Sequence, residues 1–165
     1  MRKIRIERVV LNVGGTEDKL KKGEILIGKI SGAKPTRVKA KKRIPTWGVR
    51  PGLEVGVKVT LRGKSAEELL KNVLMGVENT LKEKQIQENF ISFGIKEYIE
   101  IPKVEYIREV GIMGFEVSVI FARAGKRVKL RKIKRGKVRR NDISPEEIIQ
   151  FMETNFQTKI IRRKK

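Results

Sequence analysis

One segment of the sequence alternates strictly between apolar and polar residues. Its apolar members are Leu53, Val55, Val57, Val59 and Leu61, and Glu, Gly, Lys and Thr stand between them. Because successive side chains of a strand lie on opposite faces of its sheet, this pattern predicts a strand with one apolar face. Residues 115–121 repeat the pattern with Phe and Val at the odd positions. A sheet is therefore the first element that the sequence predicts.

Three further segments are strand-like. Residues 3–13 alternate at first and then become apolar, residues 33–43 are basic and moderately strand-like, and residues 93–101 also predict a strand. Residues 44–52 hold two Pro and two Gly and predict a loop, which makes 33–43 and 53–62 hairpin-like neighbours. Residues 102–114, with Pro102, Gly111 and Gly114, predict a long connection.

Helix signals occur at three places. Thr16 can cap a helix with two acids in its first turn and a stop at Gly32. Residues 65–68 have the Ser-x-x-Glu spacing of a capping box, and residues 144–147 repeat it with Pro at the first helical position. The first box is followed at helical spacing by Leu69, Leu70, Val73, Val77 and Leu81, and the second by Ile148, Ile149, Met152 and Phe156.

Strands and helices alternate irregularly along the chain, and no internal repeat is visible. This order predicts an α+β fold, with a mainly antiparallel sheet and helices packed on one face. We interpret residues 1–165 as a single domain that carries a basic segment at 123–140 and a basic C-terminal tail.

The residue types that are missing exclude several classes of site. The chain has no Cys and no His, which removes disulfides, thiol nucleophiles, the His general base and Cys/His zinc sites. The paired carboxylates Glu67/Glu68 and Glu146/Glu147 stand in helix first turns, where capping explains them. We therefore expect no catalytic residue, no metal and no cofactor. No apolar run approaches the ~20 residues of a membrane span, and the start of the chain does not read as a secretory signal.

Charge placement is the most informative feature. Forty Lys and Arg stand against nineteen Asp and Glu, a net charge of +21. Residues 25–53 contain eight basic residues and no acid, and residues 123–140 contain eleven basic residues and no acid. A solvated surface normally mixes the two signs, so this segregation predicts a positive face that binds nucleic acid through phosphate.

RNA is favoured over DNA because no helix-turn-helix, zinc finger or basic zipper pattern is present. Aromatic residues make up only 5% of the chain, which disfavours a base-stacking platform. We therefore expect recognition of folded RNA by its backbone and shape. The single Trp, Trp47, has two interpretations: it folds back as a lid on the core, or it makes a contact from an exposed loop.

Several short motifs together resemble one family in order and spacing. They are Val10-Leu11-Asn12, Ser31-Gly32-Ala33-Lys34-Pro35, Trp47-Gly48-Val49-Arg50, Val59-Thr60-Leu61-Arg62-Gly63, Phe93-Gly94-Ile95-Lys96-Glu97, Gly111-Ile112-Met113-Gly114-Phe115 and Arg123-Ala124-Gly125. The chain resembles the large-subunit ribosomal proteins that bind 5S ribosomal RNA, number five in bacteria and number eleven in eukaryotes. Its short N-terminus is similar to the archaeal and eukaryotic branch.

The resemblance implies an α+β protein of the central protuberance of the large subunit. Its implied partners are 5S rRNA, large-subunit rRNA, the other 5S-binding ribosomal protein, a small-subunit head protein, and the peptidyl-site tRNA, which the 44–52 loop would reach. It implies a cytoplasmic location on the ribosome, with a nucleolar stage of assembly in a eukaryote, and no membrane partner.

From charge and resemblance together we expect two sets of binding residues. Ribosomal RNA would be bound by Asn12, Lys34, Arg37, Lys39, Lys41, Lys42, Arg62, Arg123, Lys126 and Arg127. Transfer RNA would be contacted by Arg43, Thr46, Trp47 and Arg50. Two alternatives remain: a free-standing RNA-processing factor that uses carboxylates with Mg²⁺, and a free-standing RNA-binding chaperone of architectural type.

Overall fold

The computed structural model describes residues 3–102, 104–137 and 141–161. Its strands, in chain order, are β1 (Ile4–Gly14), β2 (Thr36–Lys39), β3 (Glu54–Leu61), β4 (Thr80–Lys82), β5 (Ile86–Gln87), β6 (Phe90–Ile95), β7 (Phe115–Arg123) and β8 (Lys159–Ile161). Six of them form one sheet in the order β2-β3-β1-β7-β6-β5, and all neighbouring strands in it are antiparallel. Strands β4 and β8 form a separate parallel pair.

Four helices accompany the strands: α1 (Glu17–Ser31), α2 (Lys64–Met75), the short α3 (Lys126–Leu130) and α4 (Pro145–Phe156). Helices α1, α2 and α4 contribute buried side chains to the same core as the apolar face of the sheet. The predicted α+β fold, with a mainly antiparallel sheet and helices packed on one face, is therefore confirmed.

The core lies where the alternating segments place their apolar side chains. Leu11 of β1 stands opposite Val59 of β3 and Val117 of β7, and all three are buried on the face that the helices cover. Phe121 of β7 meets Phe151 of α4 edge to face, with ring centroids 5.7 Å apart. The predicted pairing of 33–43 with 53–62 is confirmed, since β2 and β3 are antiparallel neighbours.

The helix predicted after residue 65 begins and ends differently from the prediction. Gly63, with φ of 67°, is the N-cap, so Ser65 lies inside the first turn and makes no capping hydrogen bond. The capping box at 65–68 is therefore wrong. The helix stops at Met75, because Glu78 and Asn79 adopt positive φ and turn the chain. Val77 thus follows the helix, and Leu81 is buried on β4 instead.

Two smaller predictions also need correction. The strand predicted at 93–101 starts at Phe90 and ends at Ile95, because the chain leaves the ladder to bury Tyr98 in a short 3₁₀ turn. The hydroxyl of Tyr98 accepts a hydrogen bond of 2.9 Å from the backbone N–H of Ile107, which fixes the connection that follows. Thr16 takes the N-cap position of α1, although its hydroxyl makes no capping hydrogen bond.

The second capping box is confirmed, and the two boxes provide a matched pair for a test. The Ser144 hydroxyl accepts from the N–H of Glu147, and the Glu147 carboxylate accepts from the N–H of Ser144. We expect Ser144→Ala to lower the free energy of unfolding by about 1 kcal/mol. Ser65→Ala should change it by less than about 0.5 kcal/mol, since no cap is lost. Urea unfolding followed by circular dichroism measures both, and equal losses would contradict the assignment.

Candidate nucleic-acid interface

The face of the sheet opposite the helices carries hydroxyl, amide and charged side chains together with a few apolar ones, and we call it the open face. Its residues are Val10, Asn12, Lys58, Thr60, Phe90, Ser92, Gly94, Glu116, Ser118 and Ile120, and none of them is buried. Their positions follow from register, since each alternates with a core residue of the same strand. Asn12 Nδ2 donates to Glu116 Oε2 at 3.3 Å, and the hydroxyls of Ser92 and Ser118 lie 3.4 Å apart.

Strand β1 runs the length of the sheet and separates two basic regions. Gly14 stands opposite Gly56, so the C-terminal end of β1 adjoins the 44–52 loop, which leads into β3. Ile4 stands opposite Arg123, so the N-terminal end adjoins the basic segment. Eleven residues at about 3.3 Å each make the strand roughly 36 Å long. The open face therefore has cations beyond both of its ends.

The predicted RNA-binding cations fall into an unpaired group and an ion-paired group. Lys39, Lys41 and Lys42 are exposed at the C-terminal end of β2, before the loop. Lys34 and Arg62 are exposed toward the opposite end of the sheet, and Arg127 is exposed on α3. Asn12 lies in the open face itself. The unpaired cations are thus divided between the two ends of the sheet, with Lys39, Lys41 and Lys42 at one end and Lys34 and Arg62 at the other.

Three of the residues predicted to bind RNA form ion pairs with carboxylates. Arg37 binds Glu24 of α1 at 2.8 Å and Glu54 of β3 at 2.9 Å, on the side of the sheet that faces α1. Its hydrogen bonds to Glu24 and then Glu54, with the charges of both, raise the pKa of Arg37 above its ordinary value. Arg123 is paired with Glu147, and Lys126 Nζ lies 2.6 Å from Glu7. These three residues position protein segments, and their charge is largely compensated.

The 44–52 loop projects its side chains into solvent. Ile44 and Val49 form an isolated antiparallel bridge, and residues 45–47 make one 3₁₀ turn at the tip. Trp47 is 77% exposed, so its interpretation as a lid on the core is wrong. Arg43, Thr46 and Arg50 are exposed beside it. Buried Val49 is the anchor from which the tip extends.

Three basic residues near the open face were missed at the level of sequence. Lys58 lies in the face, and strict alternation in β3 signals this position. Arg8 and Arg5 lie on the same side of β1, opposite Ile120 and Ala122. Strict alternation places Arg5 and Arg8 on opposite faces, and only the irregularity between Ile6 and Arg8 brings both to one face.

The described residues offer no arrangement for catalysis of the kinds considered above. Among them, no group of three or more Asp and Glu side chains is close enough to hold a metal ion. Glu67 is exposed in the first turn of α2, whereas Glu68, which was expected there too, is exposed just after that turn because the helix begins at Lys64. Glu146 and Glu147 lie in the first turn of α4, as expected. No helix within the described ranges has the length and apolarity needed to cross a membrane.

Comparisons with known proteins match nearly the whole chain. The C-terminal part of the ribosomal L5 family matches residues 54–142, and the part described as Ribosomal protein L5 matches residues 1–50. The large ribosomal subunit protein uL5 of Nanoarchaeum equitans is 44% identical over 98% of this chain and 98% of its own length. The proteins of the same name from Sulfurisphaera tokodaii and Methanosphaera stadtmanae are 40% and 37% identical, over 98% and 97% of this chain and 94% and 98% of their own lengths.

The matched ranges include β1 and both of its neighbours in the sheet, β3 and β7. The relatives named are archaeal, in agreement with the branch that the resemblance indicates. Because both family models and these relatives match nearly the whole chain, the chain belongs to the archaeal branch of the ribosomal protein L5 family, whose members are structural, non-enzymatic components of the large ribosomal subunit.

Proposed function

We propose that this ribosomal protein binds 5S rRNA through its open face and the cations at the ends of the sheet, and that it also binds large-subunit rRNA. The observation that carries the proposal is the contrast between the two faces. Helices cover the apolar face, whereas the other presents hydroxyl and amide groups that fit ribose hydroxyls and phosphates. Glu116 is the one carboxylate of the open face as defined here, and Asn12 engages it.

A single added charge tests the open face. Ser92 is exposed on β6, next to β7 in the open face, and its hydroxyl lies 3.4 Å from that of Ser118. Ser92→Glu places a carboxylate against RNA phosphate and should weaken binding of an archaeal 5S rRNA by about tenfold, or ~1.4 kcal/mol. Gln150→Glu, on an exposed position of α4, changes the net charge equally and should leave the affinity unchanged. Equal losses in a filter-binding assay would contradict the proposal.

We also propose that the 44–52 loop contacts peptidyl-site tRNA. Its tip carries a flat apolar ring at Trp47 and cations at Arg43 and Arg50, all exposed. An indole can lie on a sugar or base, and a guanidinium can bind phosphate in a bidentate manner. A loop anchored at Val49 and free at its tip supports a contact with a separate, moving RNA.

A different surface supports a protein partner. The connection at 96–114 exposes acids and apolar groups: Glu97, Glu100, Glu105, Glu109, Ile99, Tyr106 and Ile112. Four acids against two bases between residues 97 and 109 are unusual in a chain of net charge +21. Carboxylates repel RNA and attract a basic protein, so we propose this connection as the bridge to the small-subunit head protein. The other 5S-binding ribosomal protein would bind the same 5S rRNA molecule as this chain.

We propose that residues 1–165 fold as a single domain. Strand β1, from the part of the family matched at residues 1–50, lies between β3 and β7, which both come from the part matched at residues 54–142. Neither part can complete the sheet alone. Urea unfolding should therefore give one transition, coincident for circular dichroism and for amide exchange in β1 and β7. Two separate transitions would contradict a single domain.

Ribosomal residence distinguishes this proposal from a free-standing RNA chaperone or processing factor. After size fractionation of a lysate, the protein should travel with large subunits and 5S rRNA. A main pool at low mass would favour the free-standing alternatives.

A further inference from the structure

We propose that Arg5, Arg8 and Arg62 form a phosphate-binding site at one end of the open face, which we call the arginine cluster. The inference rests on the proposed RNA binding and names the group that this end of the face recognises. Its ligand is a phosphodiester of the RNA backbone, bound by guanidinium groups. None of these arginines has a hydrogen-bonding or ion-pair partner among the described residues.

The register of the sheet brings the three arginines together. Val9 stands opposite Leu61, so continuing the same antiparallel ladder by one step places Arg62 opposite Arg8. On the other side of β1, Arg8 stands opposite Ile120 and Arg5 opposite Ala122. Ile120 and Ala122 flank the core residue Phe121, so both arginines lie on the open side of the sheet. The site therefore spans β1 and the residue that directly follows β3.

An irregularity in β1 makes this arrangement possible. The register between β1 and β7 shifts between Ile6 and Arg8, which gives β1 one extra residue. Arg5 and Arg8 are three residues apart and would lie on opposite faces of a regular strand. The extra residue returns Arg8 to the face that Arg5 occupies. The bulge thus places two cations on the same face of β1.

The acid nearest to the cluster in sequence is already engaged. Glu7 lies between Arg5 and Arg8, and it is hydrogen-bonded to Lys126 Nζ at 2.6 Å. The basic segment thus supplies the partner for Glu7, and the two arginines are left without a carboxylate. By contrast, Arg37 is held by Glu24 and Glu54 and has little capacity for another anion.

Of the three arginines, Arg8 points most directly to an anionic ligand. It is partly buried on the central strand, and its Nε is buried without a hydrogen-bond partner. A buried donor without a partner is costly, and native structures usually satisfy it with protein, water or an ion. A phosphate above the cluster could accept from Arg8 Nε and from a terminal nitrogen at once, and Arg62 could bind the same or the next phosphate.

The test compares two charge-matched double variants in 5S rRNA binding. Arg8→Gln with Arg62→Gln should lower the slope of log affinity against log salt by about two, at ~0.9 per phosphate contact, and weaken binding by more than about tenfold. Lys22→Gln with Lys71→Gln, both exposed on helices, should change neither. Arg8→Lys with Arg62→Lys keeps the charge, so the slope should persist while affinity falls because the bidentate geometry is lost. Wild-type slope and affinity in the glutamine variant would overturn the site.

A second readout does not depend on RNA. In protein labelled with ¹⁵N at arginine, the Nε–Hε signal of Arg8 should shift and saturate as inorganic phosphate is added. The signal of Arg37, whose Nε donates to Glu24 at 3.1 Å, should stay in place. An unmoved Arg8 signal overturns the arginine cluster. Failure of the wild-type protein to bind 5S rRNA would instead refute the proposed function, and the phosphate titration would still decide whether the cluster binds phosphate.

Discussion

Replacing Lys39, Lys41 and Lys42 together by Gln should weaken 5S rRNA binding roughly a hundredfold at ~0.1 M salt. The salt slope should fall by almost three, because each cation that neutralises a phosphate contributes about 0.9 to it. All three side chains are exposed where β2 ends, at the loop end of the open face. Affinities measured by filter binding over a series of KCl concentrations give both quantities.

The control for this triple variant removes the same charge elsewhere. Lys22, Lys29 and Lys71 are exposed on helices α1 and α2, which cover the other face of the sheet. Their replacement by Gln should leave the slope within about half a unit of the wild-type value. Equal effects of the two triple variants would mean that net charge, and not the placement of cations beside the open face, governs binding.

Replacing residues 44–50 by a short Gly-Ser turn should abolish protection of the peptidyl-site tRNA elbow and leave 5S rRNA binding unchanged. The base of the loop is held by backbone hydrogen bonds that this change keeps, from Ala40 to Leu53 and from Gly52 to Ala40. The fold should therefore survive. Footprinting of tRNA on ribosomes that carry the variant is the measurement.

The point variant Trp47→Ala separates the ring from the loop. Because Trp47 is 77% exposed, its loss should not lower thermal stability, but it should reduce elbow protection if the ring lies on the tRNA. Full protection in the loop replacement would show that another surface makes the contact.

Alternation and capping made much of the fold predictable. Strands β3 and β7 lie where Val and Phe recur at every second residue, and α4 begins where Ser144 and Glu147 form their reciprocal cap. Both signals are local, because neighbours along the chain decide them. The end of α2 was not predictable in this way, since the apolar spacing continues to Leu81 while Glu78 and Asn79 turn the chain.

Other features of the fold depend on pairing between distant segments and could not be predicted from local patterns. Strands β4 and β8 have three residues each and pair across 79 positions of sequence, from Thr80 to Lys159. Such short strands carry no periodic signal. The irregularity in β1 likewise leaves no recognisable pattern in the sequence, although it decides on which face of the sheet Arg8 lies.

Ion pairing limited the prediction of the interface. The acid-free stretch of 25–53 is bounded by Glu24 and Glu54, and both fold back onto Arg37 in its middle. Arg123 and Lys126 likewise form ion pairs with Glu147 and Glu7, which are distant from them in sequence. Charge counts along a chain therefore identify a basic region, but the available cations emerge only when the acids are placed in three dimensions.

Directed cleavage of 5S rRNA tests the central proposal most directly. The chain has no Cys, so a single introduced thiol can carry an iron chelate that generates hydroxyl radicals at one known place. From Ser92→Cys on the open face, localised cleavage of bound 5S rRNA is expected, and from Lys71→Cys on the outer side of α2, none. Cleavage from Lys71→Cys without cleavage from Ser92→Cys would contradict the proposal that the open face of the sheet binds the RNA.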